Sequence, residues 1–343
     1  MAGEFFVISP SQQNNWQVWD EADGGWDLIV SQFLDGSIYQ TSKWAKHKES
    51  SGWQAIRLIK FYQNHLVAAA QCLFRRGPLG SVVVWVAGGP IGDIESVSPD
   101  FVNIVKQQTS ARFLYVRIAV MRKTDVASSN ALTAQGWRQS SAIIGTKSSL
   151  VHPLDAEESI RRSRCSTNWK RNLKRSAQNE KSTYIWKSPD AKSISDAYAQ
   201  MDEFKNIKGV SLSRSIDDLQ SVINTFGDSL ILVRSDDQDG APLAVRGALL
   251  FNETAWDFIA VTTPTGRKKY ASHAVFWALA EQCFQLGIKQ FDLGGIDPVN
   301  NRGVYDFKKG TGTTQVDYLG EWETSSPPWF RGIASRLISR KVS

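Results

Sequence analysis

Residues 55–86 read Ala55-Ile-Arg-Leu-Ile-Lys-Phe-Tyr62, Gln63-Asn-His65, Leu66-Val-Ala-Ala-Ala-Gln-Cys-Leu-Phe74, Arg75-Arg-Gly-Pro-Leu-Gly80 and Ser81-Val-Val-Val-Trp-Val86. The first two long runs alternate apolar and polar around a polar turn, which predicts a β-hairpin, and Ser81–Val86 predicts a third strand ending at Ala87-Gly-Gly-Pro90. A helix over Pro99–Gln108 and a strand over Phe113–Val120 follow. The same order then recurs: a hairpin of Ser229–Arg234 and Leu243–Phe251, a third strand Ala255–Val261, a helix Tyr270–Leu286 and a strand Lys289–Leu293. Leu66 and Leu243 lie 177 residues apart, as do Leu114 and Phe291. Two copies of strand–strand–strand–helix–strand predict a duplicated α/β (α+β) domain with mixed central sheets. The helices between Ser193 and Phe226 fall to the second copy. Two such domains side by side predict a cleft between them.

The composition agrees with a globular chain. Of 343 residues, 42% are hydrophobic and 22% charged, which excludes disordered and fibrous classes. The longest apolar runs, Val82–Ala87 and Ala274–Ala280, fall far short of the roughly 20 residues that span a bilayer. Met1-Ala-Gly-Glu-Phe-Phe lacks the basic start and long apolar core of a signal peptide, so a cytoplasmic protein is expected. Cys72, Cys165 and Cys283 are widely separated, which points to neither a disulfide framework nor a zinc site.

The net charge of +6 is local. Residues 161–175 hold Arg161, Arg162, Arg164, Lys170, Arg171, Lys174 and Arg175 with no acid among them; outside this run 33 basic residues face 34 acidic ones. Such a cluster is either a solvated helix face or a surface for a polyanion, and Trp169 among the cations would suit a stacking platform. The tail from Trp329 places Phe330, Ile333, Leu337 and Ile338 at helical spacing among Arg331, Arg336, Arg340 and Lys341. An amphipathic basic helix of this kind lies on a membrane or docks on its own domain, and docking is the commoner case. Peripheral contact with an anionic membrane stays among the expected partners.

The hairpin–strand–helix–strand units resemble the GNAT acyltransferase fold, in which a splayed central sheet grips an acyl donor. Three segments are similar to the Fem-type (FemABX) aminoacyltransferases: Tyr39-Gln-Thr-Ser-Lys-Trp44-Ala-Lys-His-Lys48; Ala87-Gly-Gly-Pro-Ile-Gly-Asp93; and Phe291-Asp-Leu-Gly-Gly-Ile296 followed by Val304-Tyr-Asp-Phe-Lys-Lys-Gly310 and Val316-Asp-Tyr-Leu-Gly320. Family members move an amino acid from aminoacyl-tRNA to an amine of a peptidoglycan precursor. The resemblance covers residues 30–320 and implies two tandem GNAT-like domains without the family's coiled-coil arm. The first is expected to span 1–153 and take back the tail 318–343; the second spans 154–317.

Aminoacyl transfer places negative charge on a carbonyl oxygen, which a fixed cation or amide donor stabilises. Phe307-Lys308 matches the pair that the family sets at its reacting centre, so the resemblance implies that Lys308 stabilises charge while Phe307 shapes the pocket. Lys309 adjoins them, and both lysines could instead be surface charges in a loop. Gly294 and Gly295 would let backbone approach a ligand, or would serve a tight turn. Lys48, with Lys46 as its alternative, aligns with the family lysine that holds the acceptor's diphosphate. Trp44 and Arg214 complete the implied acceptor site. Arg171, Lys174 and Arg175 would meet tRNA or acceptor phosphate. Asp292 and Asp297 lack the further ligands a metal needs, so no metal is expected. His47, His65, His152 and His273 stand singly, and none is an evident base.

The expectation is therefore a monomeric aminoacyltransferase without a bound cofactor. Its co-substrate is aminoacyl-tRNA and its acceptor a UDP- or lipid-linked muropeptide, reached by direct transfer. The alternative is an N-acyltransferase that uses acyl-coenzyme A on a cell-envelope or polysaccharide precursor. In the place of the pyrophosphate loop of such enzymes stands Arg267-Lys-Lys-Tyr270-Ala-Ser272, where Tyr270 and Ser272 fill both glycine positions. A non-catalytic RNA- or membrane-binding protein is the third reading.

Overall fold

The structure is a computed structural model describing residues 15–20, 23–97, 99–178, 182–205 and 215–342. The chain divides into two compact units, Met1–Lys147 with Asp317–Ser343, and Ser148–Val316.

In the first unit, β1 (Trp16–Val18), helix α1 (Asp23–Ser31) and helix α2 (Ser42–Glu49) precede the hairpin β2 (Gln54–Tyr62) and β3 (His65–Arg76). Then come β4 (Ser81–Ala87), the short β5 (Ile91–Gly92), α3 (Pro99–Thr109), β6 (Phe113–Lys123), α4 (Val126–Ala134) and the short β7 (Arg138–Gln139). Alternate residues Val82, Val84 and Val86 of β4 and Leu114, Val116 and Ile118 of β6 are buried in one core with Phe101 and Val105 of α3. Period-two burial on the strands against an i, i+4 pair on the helix is what puts α3 on that face. β4 and β6 run parallel, as a strand–helix–strand crossover requires.

The second unit opens with β8 (Ser148–Pro153), α5 (Glu158–Arg164), α6 (Thr167–Gln178) and β9 (Ser182–Ile185). Helices α7 (Ala191–Lys205) and α8 (Ile216–Phe226) lead to β10 (Leu230–Asp236), β11 (Pro242–Phe251) and β12 (Thr254–Thr262). A short helix α9 (Pro264–Lys268) and the long α10 (Ala271–Gln285) cross to β13 (Gln290–Gly295), which runs parallel to β12, and α11 (Arg302–Gly310) follows. The core unites Val275, Phe276, Leu279 and Cys283 of α10 with Phe291 and Leu293 of β13, and Phe276 stacks on Phe291 at 5.8 Å. The repeat expected from sequence is thus present, β2-β3-β4-α3-β6 answering β10-β11-β12-α10-β13.

Each copy is completed by a strand from elsewhere in the chain. β8, which follows the first copy in sequence, pairs antiparallel with β13 of the second. The long β14 (Thr314–Ser326), which follows the second copy, pairs antiparallel with β6 of the first. The boundary therefore falls at residue 147 and not at 153, because 148–153 pair with β13 of the second unit. The chain ends in α12 (Phe330–Val342), packed against β6. Among the described residues no helix is long and apolar enough to cross a membrane.

Candidate active site

Helix α11 sets the phase of the two lysines. Lys308, in its last turn, points inward and is 9% exposed, while Lys309 is exposed and lies over the Tyr305 ring at 5.5 Å. The pair is helical, so the loop alternative falls away. Lys308 Nζ donates to the carbonyl of Gly295 at 2.8 Å and of Gly294 at 3.4 Å, at the end of β13. Gly294 has φ +72°, a left-handed backbone that a side chain would strain, and a Cβ there would meet nothing within 4 Å. That strand end is held from below, where Asp292 Oδ1 accepts the Gly294 N–H at 2.7 Å and the hydroxyl of Ser149 on β8.

Beneath Lys308 lies an ion pair that sequence reading did not single out. Arg246 of β11 meets Asp257 of β12 through Nη2 at 2.7 Å and Nε at 3.1 Å, both side chains buried. The guanidinium also lies 5.0 Å from the Phe276 ring and 5.5 Å from the Phe307 ring. Burial lowers the Lys308 pKa, while the charges of Asp257 and Asp292 oppose that drop and Arg246 adds to it. Burial raises Asp257 against the pull of Arg246 and Lys308. The available signal was opposite charges placed in the apolar middles of two adjacent hairpin strands.

Phe307 and the basic helix form one body. Along α6, Trp169, Leu173 and Ser176 recur at i, i+4 and i+7 and are buried, so Arg171, Lys174 and Arg175 are left facing outward. Trp169 is not the stacking platform expected from its cationic neighbours. It is 3% exposed and packs among His273 (5.1 Å), Phe276 (5.5 Å), Trp277 (5.7 Å) and Phe307 (6.0 Å). Arg161 also leaves the surface cluster, for it is fully buried and paired with Glu281 at 2.5 Å. His273 touches Phe307 edge-on at 5.0 Å. Arg175 donates to the Tyr270 hydroxyl at 3.0 Å. Tyr270 itself sits at φ +56° at the head of α10.

In the first unit, Lys48 and Trp44 come together on α2. Lys48 Nζ lies 4.7 Å over the Trp44 ring and 3.3 Å from His47 Nε2, and Trp44 meets Tyr39 edge-on at 4.7 Å. Lys46 is exposed. The other motif residues are the bracket for this helix. Gln40 donates to the Ala87 carbonyl at 2.7 Å and accepts the Gln71 N–H at 2.7 Å, and Thr41 caps α2 by accepting the Trp44 N–H at 3.3 Å. A Cβ at Gly89 would strike the Gln40 side chain at 2.7 Å, which is why that turn carries glycine. Arg214 lies outside the described residues.

No three His, Cys, Asp or Glu side chains gather as metal ligands would among the described residues. Cys165 and Cys283 are buried, and burial pushes their thiols up to about 11 and about 12, far from a nucleophilic thiolate.

Residues 189–333 match the model of the FemAB family. Among solved structures, the chain is similar to that of FemX, with TM-score 0.77 and 14% identity over 90% of this chain and 96% of that one. It is also similar to L-PGS from Bacillus licheniformis (TM-score 0.55, 13% identity, 97% and 99% covered). A tandem GNAT protein from the clavulanic acid biosynthesis pathway matches with TM-score 0.57 and 10% identity over 92% and 99%. At these identities the likenesses establish the tandem GNAT-like fold. No curated protein sequence matches significantly.

Proposed function

We propose that this FemAB-like chain is a transferase that moves an amino acid from aminoacyl-tRNA to an amine of a peptidoglycan precursor. The observation that carries the reading is the Lys308 ammonium, buried beside Phe307 and held on the carbonyls of Gly294 and Gly295. An ammonium has three donors, and two are directed at those carbonyls. The third is available to the substrate.

In the reaction the acceptor amine attacks the ester carbonyl carbon of the aminoacyl-tRNA. A C–N bond forms and the carbonyl electron pair moves to oxygen, where the Lys308 N–H stabilises it. Collapse breaks the bond to the ribose oxygen, and the proton shed by the amine passes to that leaving oxygen through the substrate's own groups. Phe307 walls the reacting centre, and Arg171, Lys174 and Arg175 on α6 meet the tRNA phosphates. Lys48, with Trp44 at its side, binds the acceptor's phosphate. The coenzyme A alternative has less support, because the head of α10 carries Tyr270, tied to Arg175, where a pyrophosphate needs open backbone.

The test is Lys308→Met in a transfer assay with labelled aminoacyl-tRNA and a muropeptide acceptor. Losing one donor to an oxyanion lowers kcat by about 10²–10³, with the melting temperature kept. Unchanged turnover would remove Lys308 from the chemistry. Transfer from acetyl-coenzyme A and not from tRNA would replace the reading altogether.

A further inference from the structure

Several segments of the first unit converge at one end of its sheet. β3 ends at Arg76, a tight turn covers Pro78–Gly80, and β4 and β6 start side by side with Ser81 opposite Phe113. β14 ends there too, Ser326 opposite Leu114. The Arg112 N–H reaches the Gly80 carbonyl at 2.9 Å, and Trp329 packs edge-on against Phe113 at 5.6 Å, so the turn and the head of α12 are neighbours.

Helix α12 docks on its own unit by one side and leaves other apolar residues exposed. Phe330, Ala334 and Ile338, four apart, form the inward side, with Phe330 5.6 Å from Phe113. Ile333 and Leu337 form a second stripe one position round the helix and are 48% and 57% exposed, and Trp329, just before the helix, is 60% exposed. Leu79 at the tip of the neighbouring turn is 82% exposed. Arg75, Arg76 and Arg112 are exposed on the strands and turn that meet there, Arg336 and Arg340 are exposed on α12, and segments 75–82, 102–113 and 325–343 contain no acidic residue.

Single exposed apolar side chains need no explanation, but a cluster of them ringed by one sign of charge does. A second copy of the same face would bring arginine against arginine. An RNA would use the cations and leave Leu79, Ile333 and Leu337 in water. A bilayer with anionic headgroups uses both, since aliphatic tips and a tryptophan enter the headgroup boundary while arginines meet lipid phosphate.

We propose that this end of the first unit docks on the surface of an anionic lipid bilayer through Leu79, Trp329, Ile333, Leu337 and the surrounding arginines. The docking stands apart from the chemistry; joined to the aminoacyltransferase reading, on which this clause rests, it selects a lipid-linked acceptor over a UDP-linked one.

The experiment is co-sedimentation of the full chain with vesicles of phosphatidylcholine alone and of phosphatidylcholine mixed with phosphatidylglycerol, at low and raised salt. It needs no substrate, so its outcome is separate from that of the transfer assay. Binding is expected to the mixed vesicles only, and to weaken with salt. Each surface cation removed lowers partition about fivefold, so Arg336→Gln with Arg340→Gln lowers it about thirtyfold. Leu79→Ser with Leu337→Ser also lowers it, whereas Arg171→Gln with Lys174→Gln on α6 leaves it intact. All these side chains are exposed, and unchanged melting temperatures check the fold. Protein that stays in the supernatant with phosphatidylglycerol vesicles would overturn the proposal. So would binding lost through the α6 pair alone, or an α12 pair that loses single-stranded RNA while keeping vesicles.

Discussion

The side chain of Lys308 ends on two carbonyls in a buried setting, next to one cation and two acids, so its protonation depends on a balance of nearby charges. Desolvation lowers its pKa below the ordinary lysine value of 10.5, and Asp257 and Asp292 resist that fall. Only the ammonium carries a positive charge and a third N–H beyond the two held by Gly294 and Gly295, so activity is highest below the folded pKa and falls as pH rises through it. The pH–rate profile of the parent should therefore show an alkaline limb below 10.5. In Lys308→Arg, whose guanidinium stays protonated throughout, a slower enzyme should lose that limb. Matching limbs in both proteins would assign the titration elsewhere. At this scale the motif pointed to Phe307 and Lys308, and helix phase, visible only once α11 is known to be a helix, shows that Lys308 is the buried lysine and Lys309 the exposed one. Arg246 and Asp257 stayed hidden because a charge in an alternating strand is read as facing water until its partner is seen across the hairpin.

At the scale of elements, α2 owes its place to Gln40, whose amide ties the Ala87 carbonyl to the Gln71 N–H. Gln40→Ala leaves both buried backbone groups unpaired, at a cost of about 1–3 kcal/mol each. The melting temperature should fall and KM for the acceptor should rise, since Lys48 and Trp44 ride on α2, while kcat changes little. A raised KM without any loss of stability would mean that Gln40 touches the acceptor and is no bracket. The hairpins, the third strands and the crossover helices were readable because local periodicity decides them. The inward Trp169 was not, since the cations beside it dominate the composition of α6 while the phase of Leu173 and Ser176 sets which side is buried.

For the molecule as a whole, the first unit is completed by residues 317–343 and the second is continuous in sequence. Ending the chain at residue 316 would strip β6 of its β14 partner and expose Ile118 and Val120, which β14 and Trp322 help to bury. The expected result is an early, broad melting transition for the first unit, with the transition of the second retained. A single transition at the parental temperature would show that β14 adds little. Sequence reading anticipated that the tail returns to the first domain, but not that 148–153 leaves it, because pairing between strands so distant in sequence leaves no local mark.

That exchange of closing strands also orders events on the ribosome. The N-terminal unit emerges first yet cannot finish its sheet until its last strand is made. Residues 148–316 are translated in between, which at about 5–20 residues per second takes on the order of ten to thirty seconds. The second unit has all of its strands in hand throughout the end of that interval. Nascent folding, usually front domain first, would be reversed by this connectivity, and the open edge of β6 is the surface a chaperone would have to shield meanwhile.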